Sequence, residues 1–140
     1  MAIIAQEEMS HFEMLCNLIL KRDIVMSQEG KDEYVRDLDQ FFPKGGSRSD
    51  RLVHKLLYAA LIEARSCERF CLLSESLLDK SLQKFYRKLM IGEAHHYTLF
   101  LKLARQYGEN LEKVNKKWES LLRFEATLIK SLGKKEIIHG

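Results

Sequence analysis

Proline and glycine are scarce in this 140-residue chain, which has one proline and seven glycines. An all-β sandwich or barrel needs turn residues about every eight to twelve positions, so the scarcity excludes one and favours helices. Long apolar runs are missing too, since none approaches the ~18 residues of a membrane span. Glu7 and Glu8 stand where a signal peptide would be apolar, and we expect a soluble, cytoplasmic protein with no membrane partner. Cysteines number three, at positions 16, 67 and 71. An odd, irregularly spaced set excludes a disulfide framework and fits a reducing compartment. Cys67 and Cys71 lie one helical turn apart and read as small core residues rather than a thiolate metal site. Neither sign of charge dominates: 23 Lys and Arg against 20 Asp and Glu leave a net charge of +3, which permits a nucleic-acid partner without demanding one. What remains is 46% hydrophobic and 31% charged, the composition of one all-α domain spanning 1–140. A helical domain of this size buries a core without structural metal, so any metal would be functional.

Helical periodicity begins at once, with Ile4, Leu15 and Leu18 in register and no cap before them, and predicts a helix over about 2–21. Residues 22–49 hold Gly30, Pro43 and the Gly45-Gly46 pair among many charges and read as a long crossover, with a short helix near Glu33 to Phe41. Long helices follow over about 50–73 and 79–107, the latter capped by Asp79 and ended by Gly108. Asn110 caps a last helix over about 110–132, with the stripe Leu111, Val114, Trp118, Leu121, Leu128 and Leu132.

Written out at steps of three and four, the core stripes carry acids where apolar residues belong. The first reads Ile4, Glu8, His11, Leu15, Leu18; the second Leu52, Leu56, Ala59, Glu63, Cys67, Phe70; the third Leu82, Phe85, Leu89, Glu93, His96, Phe100, Leu103. Burying an ionised carboxylate without a partner costs several kcal/mol, about 2–7 even for a neutral polar group, or drives it neutral. A cation among the three acids and two imidazoles offsets that cost. Glu-x-x-His places both side chains on one helix face, and a lone Glu on a neighbouring helix can bridge, which is the carboxylate-bridged di-metal constellation of a four-helix bundle. Five of its six positions are filled by Glu8, His11, Glu63, Glu93 and His96. An antiparallel hairpin turning near Ser76 brings Glu63 and Glu93 to about the same height. The ligand set, oxygen and imidazole without thiolate, suits iron or manganese, and a bridged pair of such ions can reduce dioxygen. Glu136-x-x-His139 fits the same pattern off any apolar stripe and reads as coincidence. His54, His95 and Glu125 read as ordinary core or surface residues, although Glu125 falls on an apolar stripe and is the one substitute ligand available.

The run Leu61-Ile62-Glu63-Ala64-Arg65-Ser66-Cys67-Glu68-Arg69-Phe70, with Glu8-x-x-His11-Phe12 before it and Phe85-Tyr86 and Glu93-Ala94-x-His96 after it, resembles the ferritin-like tRNA isopentenyladenosine hydroxylases (MiaE). The resemblance covers Glu7 to about Leu132. It implies a ferritin-like four-helix bundle with a long crossover and an additional C-terminal helix. It further implies a non-haem di-iron monooxygenase that takes O2 and two electrons from an electron-transfer reductase and hydroxylates the isopentenyl group of a methylthio-isopentenyladenosine in tRNA. By position, Glu8, His11, Glu63, Glu93 and His96 would be iron ligands, with Glu63 and one further Glu as bridges. Arg65, Glu68 and Arg69 belong to the family run and would support the ligands or face the RNA, although Arg65 and Glu68 also suit a plain i,i+3 pair. Lys113, Lys116, Lys117, Arg123, Lys130, Lys134 and Lys135 could meet phosphates or form a solvated face. Gly92 and His95 stand where the family would have a Ser and a basic side chain.

The resemblance also implies a further helix ahead of the first one here, carrying the sixth ligand. With the chain starting at Met1, an apolar groove along the first three helices and self-association through it are expected. The chain then reads as a fragment, as a borrower of a partner's helix, or as a truncated relative without catalysis. A ferritin-like iron-binding or storage protein uses the same ligands, and a structural adaptor would pair the core acids with Arg65.

Overall fold

The computed structural model describes residues 2–24 and 33–133. The predicted frayed tail, with Lys134, Lys135, Glu136 and His139, lies outside the described residues. Five helices follow in order: α1 (Ala2–Lys21), α2 (Glu33–Asp39), α3 (Arg48–Ser76), α4 (Lys80–Tyr107) and α5 (Leu111–Gly133). Among the described residues there is no strand, and no helix is long and apolar enough to cross a membrane.

The ends of the helices are fixed by side chains. Ser47 and Asp50 form a reciprocal capping box, the Asp50 N–H donating to Ser47 Oγ at 3.0 Å and the Ser47 N–H to Asp50 Oδ2 at 3.1 Å. For that reason α3 starts two residues before the Asp50 start expected from the stripe, and it continues to Ser76 rather than ending at 73. Asp79 caps α4 by accepting from the Ser81 and Leu82 N–H groups at 2.7 and 3.2 Å. Asn110 does the same for α5 through the Lys113 N–H at 3.0 Å.

Cross-helix contacts give the topology. Residues 22, 14, 11 and 7 of the first segment meet 79, 88, 93 and 96 in that order, so α1 runs antiparallel to α4. His54 meets Lys117 and Arg65 meets Glu125, so α5 runs parallel to α3. With α3 and α4 forming an antiparallel hairpin, α1, α3 and α5 all point one way. Parallel neighbours need a crossover, and the long connection containing α2 supplies it.

The apolar core fills the space among the N-terminal half of α3, the C-terminal half of α4, and α5, with Val53, Leu56, Leu57, Ala60, Leu61, Phe100, Leu101, Ala104, Val114, Trp118 and Leu121 buried. The face that α3 buries is broader than the expected stripe and turned by about one residue, because α3 meets both α4 and α5. Leu52, expected inside, is 40% exposed, while Val53, Leu57 and Ala60 are buried. Leu15 and Leu111 are also exposed rather than in the core. On α1 only Ile4 is buried, and Ile3, Met9, Phe12 and Leu20 remain in solvent.

One charged group sits fully inside this core. Glu125 is 0% exposed and accepts two N–H groups from the Arg65 guanidinium and the Tyr34 hydroxyl at 3.0 Å. Arg65 also donates to Glu68, so both the i,i+3 pair and a longer-range structural role are present. Glu125 thus has its oxygens engaged away from the other core acids. Removing one partner of a buried ion pair costs about 3–5 kcal/mol. We predict that Glu125→Ala lowers unfolding free energy by about that amount in urea titrations, against about 1–2 kcal/mol for Tyr34→Phe; equal, small losses would show that the pair is not structural.

Candidate metal centre

Just beyond the end of the apolar core towards the α3–α4 turn, Glu63 of α3 faces Glu93 and His96 of α4, and α1 lays Glu8 and His11 across them. Glu8, Glu63, Glu93 and His96 each offer a ligand atom, and these atoms all lie within 4.8 Å of one another. His11 sits beside this set, its Nδ1 3.5 Å from Glu93 Oε1 and 3.8 Å from Glu8 Oε1, with its ring centroid 6.0 Å from that of His96. All five residues singled out in the sequence are therefore brought together, four in a tight set and His11 at its edge.

The electrostatics are unsatisfied in a specific way. His96 is 2% exposed, and its Nε2 lies 2.9 Å from Glu7 Oε2. With the proton on Nε2, donated to Glu7, Nδ1 presents a lone pair. That nitrogen is 2.7 Å from Glu8 Oε1 but is not aligned for a hydrogen bond, so His96 Nδ1 and Glu8 Oε1 are both buried without a hydrogen-bond partner, as is His11 Nδ1. Buried polar atoms left without hydrogen bonds, His96 Nδ1 and Glu8 Oε1 2.7 Å apart with His11 Nδ1 3.8 Å from the same oxygen, are the arrangement a cation relieves. Burial, then a hydrogen bond and repulsion from Glu93, push the Glu63 carboxyl well above the usual carboxylate range, with Glu8 adding to the effect. That environment favours the neutral form of Glu63 when no cation is bound. Among the described residues no Lys or Arg pairs with Glu8, Glu63 or Glu93. The donors are carboxylate oxygen and imidazole nitrogen, which fit iron or manganese. Cys67, one turn beyond Glu63, keeps its thiol protonated through burial and stays out of the set.

Glu7 is the contact that stripe reading misses. It lies off the core stripe beside Glu8, and only its i,i+4 spacing to His11 hints at a role. Of the remaining candidates, Arg69 stacks its guanidinium 6.0 Å from the Phe70 ring centroid, His95 is exposed, and Arg65 and Glu68 belong to the Glu125 network.

The family described as tRNA-(MS[2]IO[6]A)-hydroxylase (MiaE) matches residues 1–140. The chain belongs to the MiaE family. It is 36% identical over 112 residues to the tRNA 2-(methylsulfanyl)-N(6)-isopentenyladenosine(37) hydroxylase of Pseudomonas putida, a match covering 80% of this chain and 53% of that protein. The Salmonella typhimurium protein of the same description is 37% identical over 112 residues, covering 76% of this chain and 38% of that one. The chain thus spans about half, or less, of the length of these MiaE relatives. A solved structure, Protein 43 with aldehyde deformylating oxygenase activity from Synechococcus, superposes with a TM-score of 0.80 at 34% identity, covering 88% of this chain and 60% of that one. The fold is all-α and ferritin-like, as the sequence predicts.

Gly92 is what admits His11 to the centre of this MiaE chain. A Cβ there would lie 2.7 Å from His11 Cε1 and 3.0 Å from Nε2, so the imidazole rests directly on the α4 backbone. Alanine is favoured over glycine in a helix by about 1 kcal/mol, yet it would force the ring aside. We predict that Gly92→Ala keeps or raises the denaturation midpoint while weakening Co2+ binding about tenfold or more, followed by visible absorption; unaltered Co2+ affinity would place His11 outside the ligand sphere.

Proposed function

We propose that this chain carries the di-iron centre of an O2-dependent tRNA hydroxylase, with Glu8, His11, Glu63, Glu93 and His96 as ligands. The substrate is the isopentenyl group of a methylthio-isopentenyladenosine in tRNA. The observation that carries the reading is the convergence of His96 Nδ1, Glu8 Oε1 and His11 Nδ1, buried without hydrogen-bond partners, on the Glu63–Glu93 pair. The family assignment and the names of the relatives supply the substrate class.

Iron bound there would supply the redox chemistry that activates dioxygen. Hydroxylation converts a C–H bond to C–OH, one oxygen atom entering the product and the other leaving as water, with two electrons from an electron-transfer reductase and two protons. The contributions of the chain itself are positional and electrostatic. Glu63, favoured in its neutral form while the site is without a cation, gives up its proton to accept one, and the carboxylates of Glu63 and Glu93 offset the charge of the metal. Glu7 holds the Nε2 proton of His96, leaving Nδ1 free to ligate. Gly92 lets His11 approach. The apolar residues of α1 that face solvent, Met9 and Phe12 (61% exposed) among them, support self-association, and the three free thiols support a cytoplasmic location.

Anaerobic loading with ferrous ion is expected to give about two irons per chain, abolished by Glu63→Ala. One iron or none in the parent chain would overturn the di-iron reading, and a large mineral load would indicate storage instead. A structural adaptor predicts that Glu63→Leu raises stability with no metal bound in either protein. The loaded protein, given reductant and tRNA, is expected to add one oxygen atom to the modified adenosine, read by mass spectrometry.

A further inference from the structure

Away from the metal centre, the crossover and the N-terminal half of α3 border an open cavity of about 800 Å³. Its wall is cationic and aromatic: Arg36, Lys44, Arg51 and Lys55 line it with Phe42 and Tyr58, against the single carboxylate of Asp39. All four cations are exposed. Arg36 is partly neutralised by Asp37 at 2.8 Å, and Arg51 donates only to the Gly46 carbonyl at 3.3 Å. Lys44 and Lys55 have no acidic partner among the described residues. Gly45 and Gly46, at φ +121° and +93°, turn the chain at the rim in a conformation that residues with a Cβ rarely adopt.

The aromatic side of the cavity is ordered. The Phe42 ring lies 5.3 Å from the His54 ring and 6.2 Å from the Tyr58 ring, centroid to centroid. Behind this wall, Lys117 Nζ approaches His54 Nε2 at 2.6 Å and adds positive charge. On α5, by contrast, Lys116 pairs with Glu112 at 2.7 Å and Arg123 with Glu119 at 3.9 Å. The lysine-rich helix therefore neutralises part of its own charge, whereas Lys44, Arg51 and Lys55 stand together at the cavity with no ion pair of their own among the described residues. Cations that track a backbone beside an aromatic platform are the combination that holds single-stranded nucleic acid.

Position connects the cavity to the centre. Tyr58 is five residues from Glu63 along α3, about 7.5 Å of helix rise, and Arg51 is twelve, about 18 Å. We propose that this cavity binds the backbone of single-stranded RNA, with Lys44, Arg51 and Lys55 on phosphates and the Phe42–Tyr58 wall stacking a base next to the nucleotide presented to the metal. This rests on the reading of the substrate as RNA and adds where and how that RNA is held.

The test uses the full chain and a fluorescent RNA hairpin with an unmodified single-stranded loop, titrated by anisotropy at several salt concentrations. Lys44→Glu/Lys55→Glu is expected to weaken binding at least tenfold and to reduce the slope of log K against log salt by about 1.4, the value for two single-strand phosphate contacts. Phe42→Ala is expected to weaken binding with little change of slope. Lys116→Ala/Arg123→Ala on α5 serves as a control and is expected to change affinity less than twofold. Equal losses in the control, or an unchanged slope in the cavity variant, would overturn the proposal. Iron content and hydroxylation of the free modified nucleoside are measured in parallel. Normal iron and nucleoside turnover with unaltered RNA affinity in the cavity variant sinks this inference alone. RNA binding that depends on Lys44 and Lys55 without any iron uptake upholds it while the oxygenase reading fails.

Discussion

The antiparallel pairing of α3 with α4 is the constraint on which the rest depends. It sets Glu63 opposite Glu93 and His96 at the end of the apolar core, where a carboxylate can be neither well solvated nor ignored. Burial, and then the contact with Glu93 and its repulsion, push the Glu63 carboxyl up towards its neutral form. Among the described residues no Lys or Arg pairs with either acid. α1 then docks on this pair with little hydrophobic help, since Ile4 is its one buried residue. Its other attachments are polar: Glu7 and Glu8 on His96, His11 beside Glu93, and Arg22 on Asp79 at 2.6 Å. The centre is thus part of what holds α1 to the bundle, and a cation there would couple metal binding to the docking of that helix.

The bundle buries acids in two places and treats them differently, which separates a structural carboxylate from one available for chemistry. Glu125 is saturated by a two-pronged guanidinium and a phenol, a closed arrangement that leaves no oxygen for a ligand. Around Glu8, Glu63 and Glu93 the neighbours are other acids and imidazoles, so the lone pairs point at each other and at a shared space. Were the second site structural, selection of a lysine or arginine partner would be the simple remedy, as it is for Glu125. The contrast lies within one chain and one fold.

The spacing of Glu8-x-x-His11 and Glu93-x-x-His96, and the place of Glu63 in a stripe, are local facts, and a hairpin of known rise carries them into space; that part of the site could be read from residue order. Other parts could not. The partner of Arg65 lies 60 residues away on α5, and Glu68, three residues on, offers an equally sensible local answer that is also made. Glu7 acts through a hydrogen bond across helices, invisible to a stripe that admits one acid per turn. The rotation of the buried face of α3 towards Val53 and Ala60 arises because two helices press on it, whereas a periodic pattern describes a helix with one partner. The charge on α5 was legible in principle, because Glu112 and Glu119 each precede a cation by four residues, but counting lysines conceals that cancellation.

The parallel course of α1 and α3 has a consequence for function as well as for topology. Parallel neighbours force the chain to travel back along the bundle, and the travelling segment has to lie against something. It lies against α5 and α3: Tyr34 reaches Glu125, Leu38 is fully buried, and Phe41 packs 5.4 Å from Phe124. Anchored there, the crossover packs Phe42 against His54 and Tyr58 of α3 and turns at Gly45 and Gly46, and the cationic cavity lies between this segment and the start of α3. The bundle order that assembles Glu8, Glu63 and Glu93 also creates a basic, aromatic recess within about 20 Å of them along α3. The proposed metal centre and the proposed RNA-binding recess then follow from one topological requirement.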